Sequence, residues 1–516
     1  MTAPLVVIVG AGLAGVTCAL SALESGAEVL VLDRLGLGLG SNSALSNAVF
    51  AGPTASYPPE RYIEDTLEIG KGLNRPAMLA AVAENARETF AWLKPAGLAL
   101  SEEMAAHAFR PSRQDVFRGA EMMRALAGHL RGQPGLRVWP GFQATRLVRE
   151  EGRLAAVEGL DRQGQAWRIP CGAAVLACGG AGAIFARNDN QRGALGQGYH
   201  LAWQAGLPLW DMEFVQFYPL VLEEPGLPRV MLYPPYPPQC RLLDHQGRDL
   251  AAAHGLDSLD QAIMRLRDSF ALVVHRACQE GPVRMDYTGV PDEYWGRYPL
   301  AMFRHYRFDF RRRAARVAPG AHFCQGGVAV DSQAATGLAG LFACGEVVWG
   351  LHGANRRGGN ALTECLVFGR LAGRSAAGLA LSRAASPAPE RLERPPAGPA
   401  DPEPARREAL ARLREIAWQR AGVVREEAGL RQGLAELQGL AEGMEPRPEG
   451  GRGGGLEAGL FFLRALLSAS LARRESRGCF QRADFPAEGG PAWRANSRLE
   501  PGPEGGFKLT HPPAGR

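Results

Sequence analysis

Residues 5–33 read LVVIVGAGLAGVTCALSALESGAEVLVLD, and their order decides the fold. Five apolar residues give the pattern of a buried strand. Gly10-x-Gly12-x-x-Gly15 follows, then a helical run closed at Gly26, then a second apolar run ending at Asp33. Strand, glycine turn, helix and strand in this order make the dinucleotide-binding fingerprint. Gly10 makes the tight turn, Gly12 lets the backbone approach a pyrophosphate, and Gly15 lets helix and strand pack closely. Asp33 stands where a carboxylate accepts hydrogen bonds from a ribose.

A second stretch of the same kind lies far along the chain. GLFACGEV ends in Gly345-Glu346, a loop rich in Gly, His and Asn follows, and NALTECLVFG begins a helix. The unpaired N–H groups of a helix start favour a phosphate or an electron-rich ring. Between the two, AAVLACGGAGAIF (173–185) gives another buried strand ending in Gly179-Gly180. Residues 188–206 hold a further glycine turn and a short helix, and residues 137–170 alternate as a hairpin or meander. Strands alternating with helices predict a doubly wound α/β sheet.

Bulk properties exclude several classes. The 516 residues are 46% hydrophobic and 22% charged, as in a globular protein of two to four domains. A net charge of +5, with no basic run interleaved with aromatics, does not suit nucleic acid. Nine cysteines are scattered without a C-x-x-C pair, which argues against a zinc ribbon, an iron–sulfur set or any metal site. The odd count fits a reducing compartment. Residues 1–20 lack a basic leader region, and no stretch reads as a membrane span.

Several further segments carry a resemblance. VLACGGAG with LGQG, MEFVQFYP (212–219), RDSFALVVHRACQEG (267–281), HFCQGG (322–327), ACGE (343–346), HGANRRGGNALTECLVFG (352–369) and RRESRG (473–478) occur in one order with the fingerprint. Together they resemble the flavoprotein subunit family of fumarate reductase, succinate dehydrogenase and L-aspartate oxidase. The resemblance implies FAD, not NAD. It implies a Rossmann-like FAD-binding domain in two parts (1–206 and 322–380), with an inserted α+β capping domain at 207–321. A linker (381–405) and a C-terminal helical domain with its tail (406–516) follow.

The same resemblance assigns residues. Arg34, Ser41, Ser43, Gly179 and Gly180 join the fingerprint residues around FAD, and Glu346 holds its ribityl or ribose hydroxyls. Asn360, Ala361 and Leu362, at a helix start, lie beside the flavin N1 and C2 carbonyl, where reduced flavin carries negative charge. The family often links FAD through a His; Asn42 stands at that place, so FAD is expected to be non-covalent. Arg267 matches the family's proton donor, and His322 and Arg356 match the pair that holds one carboxylate of the substrate.

Two departures bear on substrate. The family's T-E-x-x-R-G segment reads LYPPYPPQC (232–240), with Tyr233 and Tyr236 in place of the Glu–Arg proton relay. The His and Thr that hold the other carboxylate are replaced by Tyr218 and Leu232. Fumarate and succinate are therefore expected to be poor substrates, and a carboxylic acid with an apolar far end a better one.

The expected activity is that of an FAD-dependent oxidoreductase acting on CH–CH or CH–NH groups. Hydride passes between flavin N5 and a carbon beside a carboxylate. The alternatives are an L-aspartate oxidase-like enzyme, or a flavin-bearing electron-transfer subunit of a larger complex with an altered substrate site. The expected partners are a small carboxylic acid and an iron–sulfur subunit or soluble electron carrier, with membrane contact only through a partner. The expected location is cytoplasmic. By resemblance Arg477 reaches the active-site rim, and the Gly/Pro-rich tail after 487 is expected to form surface loops.

Overall fold

In a computed structural model the fingerprint forms the strand Leu5–Val9 (β1), the helix Leu13–Glu24 (α1) and the strand Glu28–Asp33 (β2). The structure describes residues 4–38, 40–103, 106–393, 403–443, 454–502 and 506–511. Residues 394–402 of the linker expected at 381–405, and residues 444–453, lie outside them.

β1 and β2 sit inside a five-stranded parallel sheet. Its order is Leu341–Ala343, Ala173–Leu176, β1, β2, Leu136–Pro140. Ile8 pairs with Val175 on one side and Val31 on the other, and Val31 pairs with Val138. Every residue of β1 is buried, which is why the run is apolar throughout and not alternating. Leu136–Pro140, read from sequence as part of a meander, joins this sheet instead. Gln143–Glu150, Arg153–Leu160 and Ala166–Pro170 do form an antiparallel meander.

The long helix Asn360–Leu381 packs along α1. Gly369 and Gly373, one turn apart, face it. A Cβ on Gly369 would stand 2.8 Å from the Ala14 carbonyl oxygen, and one on Gly373 would stand 2.4 Å from that of Cys18. The two helices approach this closely because neither position carries a side chain. The contact carries the N-terminus of the long helix to the same end of the sheet as the glycine turn.

The inserted region builds its own sheet, in the order Val215–Leu222, Ala315–Cys324, Val283–Asp286, Arg241–Leu243. It has a separate apolar core that includes Leu220, Leu242, Phe270, Met285 and Phe310. The break expected at 321/322 falls within the strand Ala315–Cys324, so the cap and the FAD-binding part share a continuous element.

Three helices, Glu403–Ala421, Glu427–Glu442 and Gly454–Ala472, form the C-terminal bundle. By length and composition alone Gly455–Ala472 is apolar enough to cross a membrane. Two-thirds of it is buried inside the protein, so its apolar surface is taken up by packing.

The tail also departs from expectation. Arg498–Pro501 pairs with Leu209–Trp210 and with Phe507–Thr510, extending a second five-stranded sheet. Asn496 and Ser497 are buried and bond to the Asp211 carboxylate at 2.7 and 2.8 Å. Gly and Pro content marked the tail as loop, but backbone pairing to a distant strand overrode that signal.

Candidate active site

The glycine turn, the end of β2 and the Gly179-Gly180 turn enclose a cleft of about 1040 Å³ of atom-free space, part of it open to solvent. Of the expected cofactor residues, Gly10, Gly12, Asp33, Arg34, Ser41, Ser43, Gly179, Gly180 and Glu346 line it. Gly15 lies one turn deeper, where a Cβ would stand 2.0 Å from the Gly10 carbonyl oxygen. Asn360, Ala361 and Leu362 form the first turn of the long helix and do not line this cleft.

The cleft suits an extended anion. α1 begins at Gly12 with no acidic residue in its own first turn; the Ser43 hydroxyl accepts the Leu13 N–H at 3.2 Å, and the positive end of the helix faces the cleft. A Cβ on Gly12 would meet nothing nearer than the Ser41 Cβ at 3.4 Å, so the approach over the turn is open. Asp33 is anchored by N–H groups of Leu35 and Gly36, both at 2.7 Å, on one oxygen. Its other oxygen accepts the Ala11 N–H at 3.0 Å and keeps a lone pair for a hydroxyl.

Glu346 is a second carboxylate in the cleft, 8% exposed. Burial pushes it up to about 7, against the pull of the Cys324 N–H (3.1 Å) and the Arg356 charge. Gly180 faces it so closely that a Cβ there would lie 2.1 Å from Oε1. Asn42 donates to Asn190 Oδ1 and accepts the Gln191 N–H, both at 2.7 Å. At the start of the long helix Asn360 Oδ1 accepts from the Tyr62 hydroxyl at 3.1 Å, while its Nδ2 is buried with no partner. An open glycine-lined turn, two carboxylates for hydroxyls and an orphaned donor at a helix start fit FAD.

Beside this cleft the structure brings Arg267, Arg356 and His322 together. Arg267 follows a local break in the helix Leu259–Glu280, where Leu266 leaves helical geometry (φ −126°, ψ 20°). Its guanidinium donates to the Arg356 carbonyl oxygen, its Nε is buried with no partner, and Asp268 is 3.9 Å away. Arg356 is 5% exposed and donates to Gln216 Oε1 at 3.1 Å. Burial and the Arg267 charge bring it down to about 9. His322 bonds through Nδ1 to Asp189 at 2.8 Å, leaving Nε2 unengaged by that pair. Among the described residues Arg356 has no carboxylate within ion-pair reach and Arg267 has only Asp268, at 3.9 Å, so two largely buried positive charges face each other with one distant carboxylate between them.

The family described as "FAD binding domain" matches residues 6–362. The chain is 31% identical to an L-aspartate oxidase of Agrobacterium fabrum, over 96% of this chain and 93% of that protein. It is 29% identical to a fumarate reductase (CoM/CoB) chain of Methanothermobacter marburgensis, over 96% of this chain and 97% of that one. Among solved structures it superposes on an E. coli quinol fumarate reductase chain with a TM-score of 0.84 and 21% identity, covering 99% of this chain and 97% of that one.

The chain belongs to the flavoprotein family of fumarate reductase, succinate dehydrogenase and L-aspartate oxidase. It is an FAD-dependent oxidoreductase.

Within this flavoprotein, sequence reasoning missed Asp189, Gln216 and Asp268. Asp189 and His322 are 133 residues apart, and Gln216 and Arg356 are 140 apart, so no local pattern announces either pair. Asp268 sits directly after Arg267 in the chain, but it carries no motif of its own. Arg477 is a correction. It is 2% exposed and donates to both oxygens of Glu475, at 2.9 and 2.8 Å, and to Glu488 at 2.7 Å. These carboxylates hold it inside the C-terminal region rather than at the site rim.

Proposed function

We propose that this flavoprotein moves a hydride between FAD and the carbon skeleton of a small carboxylic acid, with one substrate carboxylate held by Arg356 and His322. The observation that carries this reading is the pair of largely buried guanidiniums, Arg267 and Arg356, which share at most one carboxylate, Asp268 at 3.9 Å from Arg267. Buried charges need a partner, and an arginine fork suits a carboxylate. FAD, when bound, supplies the hydride acceptor or donor at N5.

Asp189 holds the His322 ring through Nδ1, so that Nε2 is the nitrogen free for the substrate. Arg267 exchanges the proton at the carbon next to the one that exchanges hydride. A guanidinium needs a partner that takes or returns that proton. Burial raises Tyr218 and Tyr236 well above the ordinary phenol range, so neither ionises for this task. Asp268 is placed for it: one oxygen lies 3.9 Å from Arg267 and the other is buried without a partner. An electron-transfer partner, either an iron–sulfur protein or a soluble carrier, belongs to the proposal.

The likeness to L-aspartate oxidase over nearly the whole chain favours a second reading, in which the oxidised bond is CH–NH. One experiment separates the two. Anaerobic FAD-loaded protein is mixed with saturated acids and with amino acids, and flavin bleaching is followed. The reduced protein is then mixed with enoates and re-oxidation is followed. Re-oxidation by enoates supports the first reading, and bleaching by amino acids alone supports the second. FAD itself is held non-covalently, because Asn42 stands where a linking side chain is needed. Acid precipitation should leave all yellow colour in the supernatant; colour in the pellet would overturn this.

A further inference from the structure

Past His322 the site meets a wall contributed by the cap. The Tyr218 ring centre is 5.7 Å from that of His322, and the Tyr218 and Tyr236 hydroxyls are 3.2 Å apart. Both hydroxyls reach the Leu232 carbonyl oxygen, at 3.2 and 2.6 Å. Each phenol has one O–H hydrogen, so both donors are engaged within the wall. Tyr218, Leu232 and Tyr236 are 4%, 2% and 6% exposed.

The wall is fixed from behind. The Tyr236 N–H faces both carboxylate oxygens of Asp260, each at 3.2 Å, in the first turn of the helix that carries Arg267. Tyr218, Leu232 and Tyr236 belong to the apolar core of the cap, together with Tyr287 and Phe303. A group that reaches the wall therefore meets ring faces and engaged hydroxyls, with packed core behind them. The Arg267 charge acts on the Tyr218 hydroxyl, so the wall borders the proton donor as well as His322.

We propose that Tyr218 and Tyr236 set substrate choice, so that the site takes an acid with one carboxylate, at His322 and Arg356, and a short uncharged far end. The proposal rests on the hydride-transfer reading above. A second carboxylate set against the wall would lose its water and gain no free donor from it. Arg267 is the cation that borders the wall, and in the proposed reaction its proton goes to the reacting carbon. A methyl group in the same place gains by leaving water. A long tail is refused, because the tyrosine pair closes the way into the cap core. The apolar far end expected from the sequence is thereby narrowed to a short one. In the reductive direction the C=C bond of the enoate gains a hydride at one carbon and the Arg267 proton at the other. The two electrons come from the electron donor by way of the flavin.

The test uses FAD-loaded protein with reduced methyl viologen as donor, and compares acrylate, crotonate, (E)-2-hexenoate and fumarate. The added methyl group should place crotonate about fourfold above acrylate in kcat/KM. 2-Hexenoate and fumarate should each fall about tenfold or more below crotonate. Fumarate equal to or above crotonate overturns the proposal and assigns the far carboxylate to Arg267. 2-Hexenoate equal to or above crotonate also overturns it, because the wall would then be open. Tyr218→His puts an imidazole donor into the wall, and should raise the fumarate to crotonate ratio of kcat/KM about tenfold. An unchanged ratio overturns the role given to Tyr218. The wall bears equally on oxidation of a CH–NH bond, where L-2-aminobutanoate should bleach the flavin faster than L-aspartate. The opposite order overturns the proposal and leaves that reading standing. Calorimetric titration with butanoate and succinate needs no turnover. Butanoate bound about tenfold tighter than succinate, with neither enoates nor amino acids reacting, would keep the wall and sink the hydride-transfer reading. Succinate bound as tightly as butanoate would sink the proposal, and no binding by either would sink both.

Discussion

Two groups of largely buried arginines lie in this molecule, and they are partnered in opposite ways. In the C-terminal region Arg473 is wholly buried, and donates to Glu213 at 2.7 Å, to Glu475 at 2.8 Å and to the Ala495 carbonyl oxygen at 2.8 Å. Arg477 shares Glu475, and Ser497 donates to the remaining oxygen of Glu213 at 2.6 Å. Arg473, Arg477, Glu213 and Glu475 each have an opposite charge within hydrogen-bond reach. Beside the FAD cleft, Arg356 bonds only carbonyl and amide oxygens, Arg267 has only the distant Asp268 at 3.9 Å, and Arg267 Nε and Asp268 Oδ1 are left unpartnered. A closed network holds elements together and has nothing left to offer a ligand. An open one is a binding site, because its unmet charge is met only when an anion arrives.

The largest test of this contrast is Arg267→Ala. Turnover should fall about a thousandfold, within the range for loss of a general acid. FAD should stay bound, because Arg267 does not line the FAD cleft. Turnover within a few-fold of the parent protein would mean the proton comes from elsewhere. Arg473→Ala should do the reverse. Removing one partner strands Glu213 in the interior, since Glu475 keeps Arg477, and should cost about 3–5 kcal/mol of stability in chemical denaturation. A loss under about 1 kcal/mol, the worth of an exposed pair, would show that the closed network does not act as one.

Glu346 probes the contrast from the acid side. Burial raises it to about 7, so the folded protein holds a proton there that the unfolded chain releases near 4.5. Its contribution to stability is therefore full below about 4.5 and lost as pH rises through about 7. FAD-free protein should lose stability on the order of 2 kcal/mol across that window, and Glu346→Gln should flatten the profile. An identical slope in the variant would place the titration elsewhere. The smallest effect belongs to Asp189→Asn. Losing the charged acceptor of His322 should raise KM about fivefold, or ~1 kcal/mol, with kcat little changed. A large fall in kcat with KM constant would make Asp189 part of the chemistry rather than a positioning residue.

The parts of the site that sequence made legible are those built within a few residues of one another. Gly10, Gly12 and Gly15 act through backbone geometry over a single turn, so their spacing is their function, and Asp33 follows at the end of the next strand. The start of the long helix at Asn360 was legible for the same reason: a glycine loop ends where a helical run begins. Arg267, His322 and Arg356 are reached through the resemblance, not through any local pattern. Composition misled where backbone pairing was remote, as in the tail strand Arg498–Pro501.

The order of strands, glycine turns and helices along the chain, then, determined the α/β class, the dinucleotide site and the chemistry of the residues available to it. Only the tertiary structure decided which charges are answered and which are not. Arg473 and Arg356 are alike as residues in a sequence. One is surrounded by Glu213 and Glu475, and the other meets Gln216 and the charge of Arg267. Those partners are brought in from distant positions by packing, and the strength of a charge's interactions depends on its neighbours and their exposure to water rather than on its place in the chain.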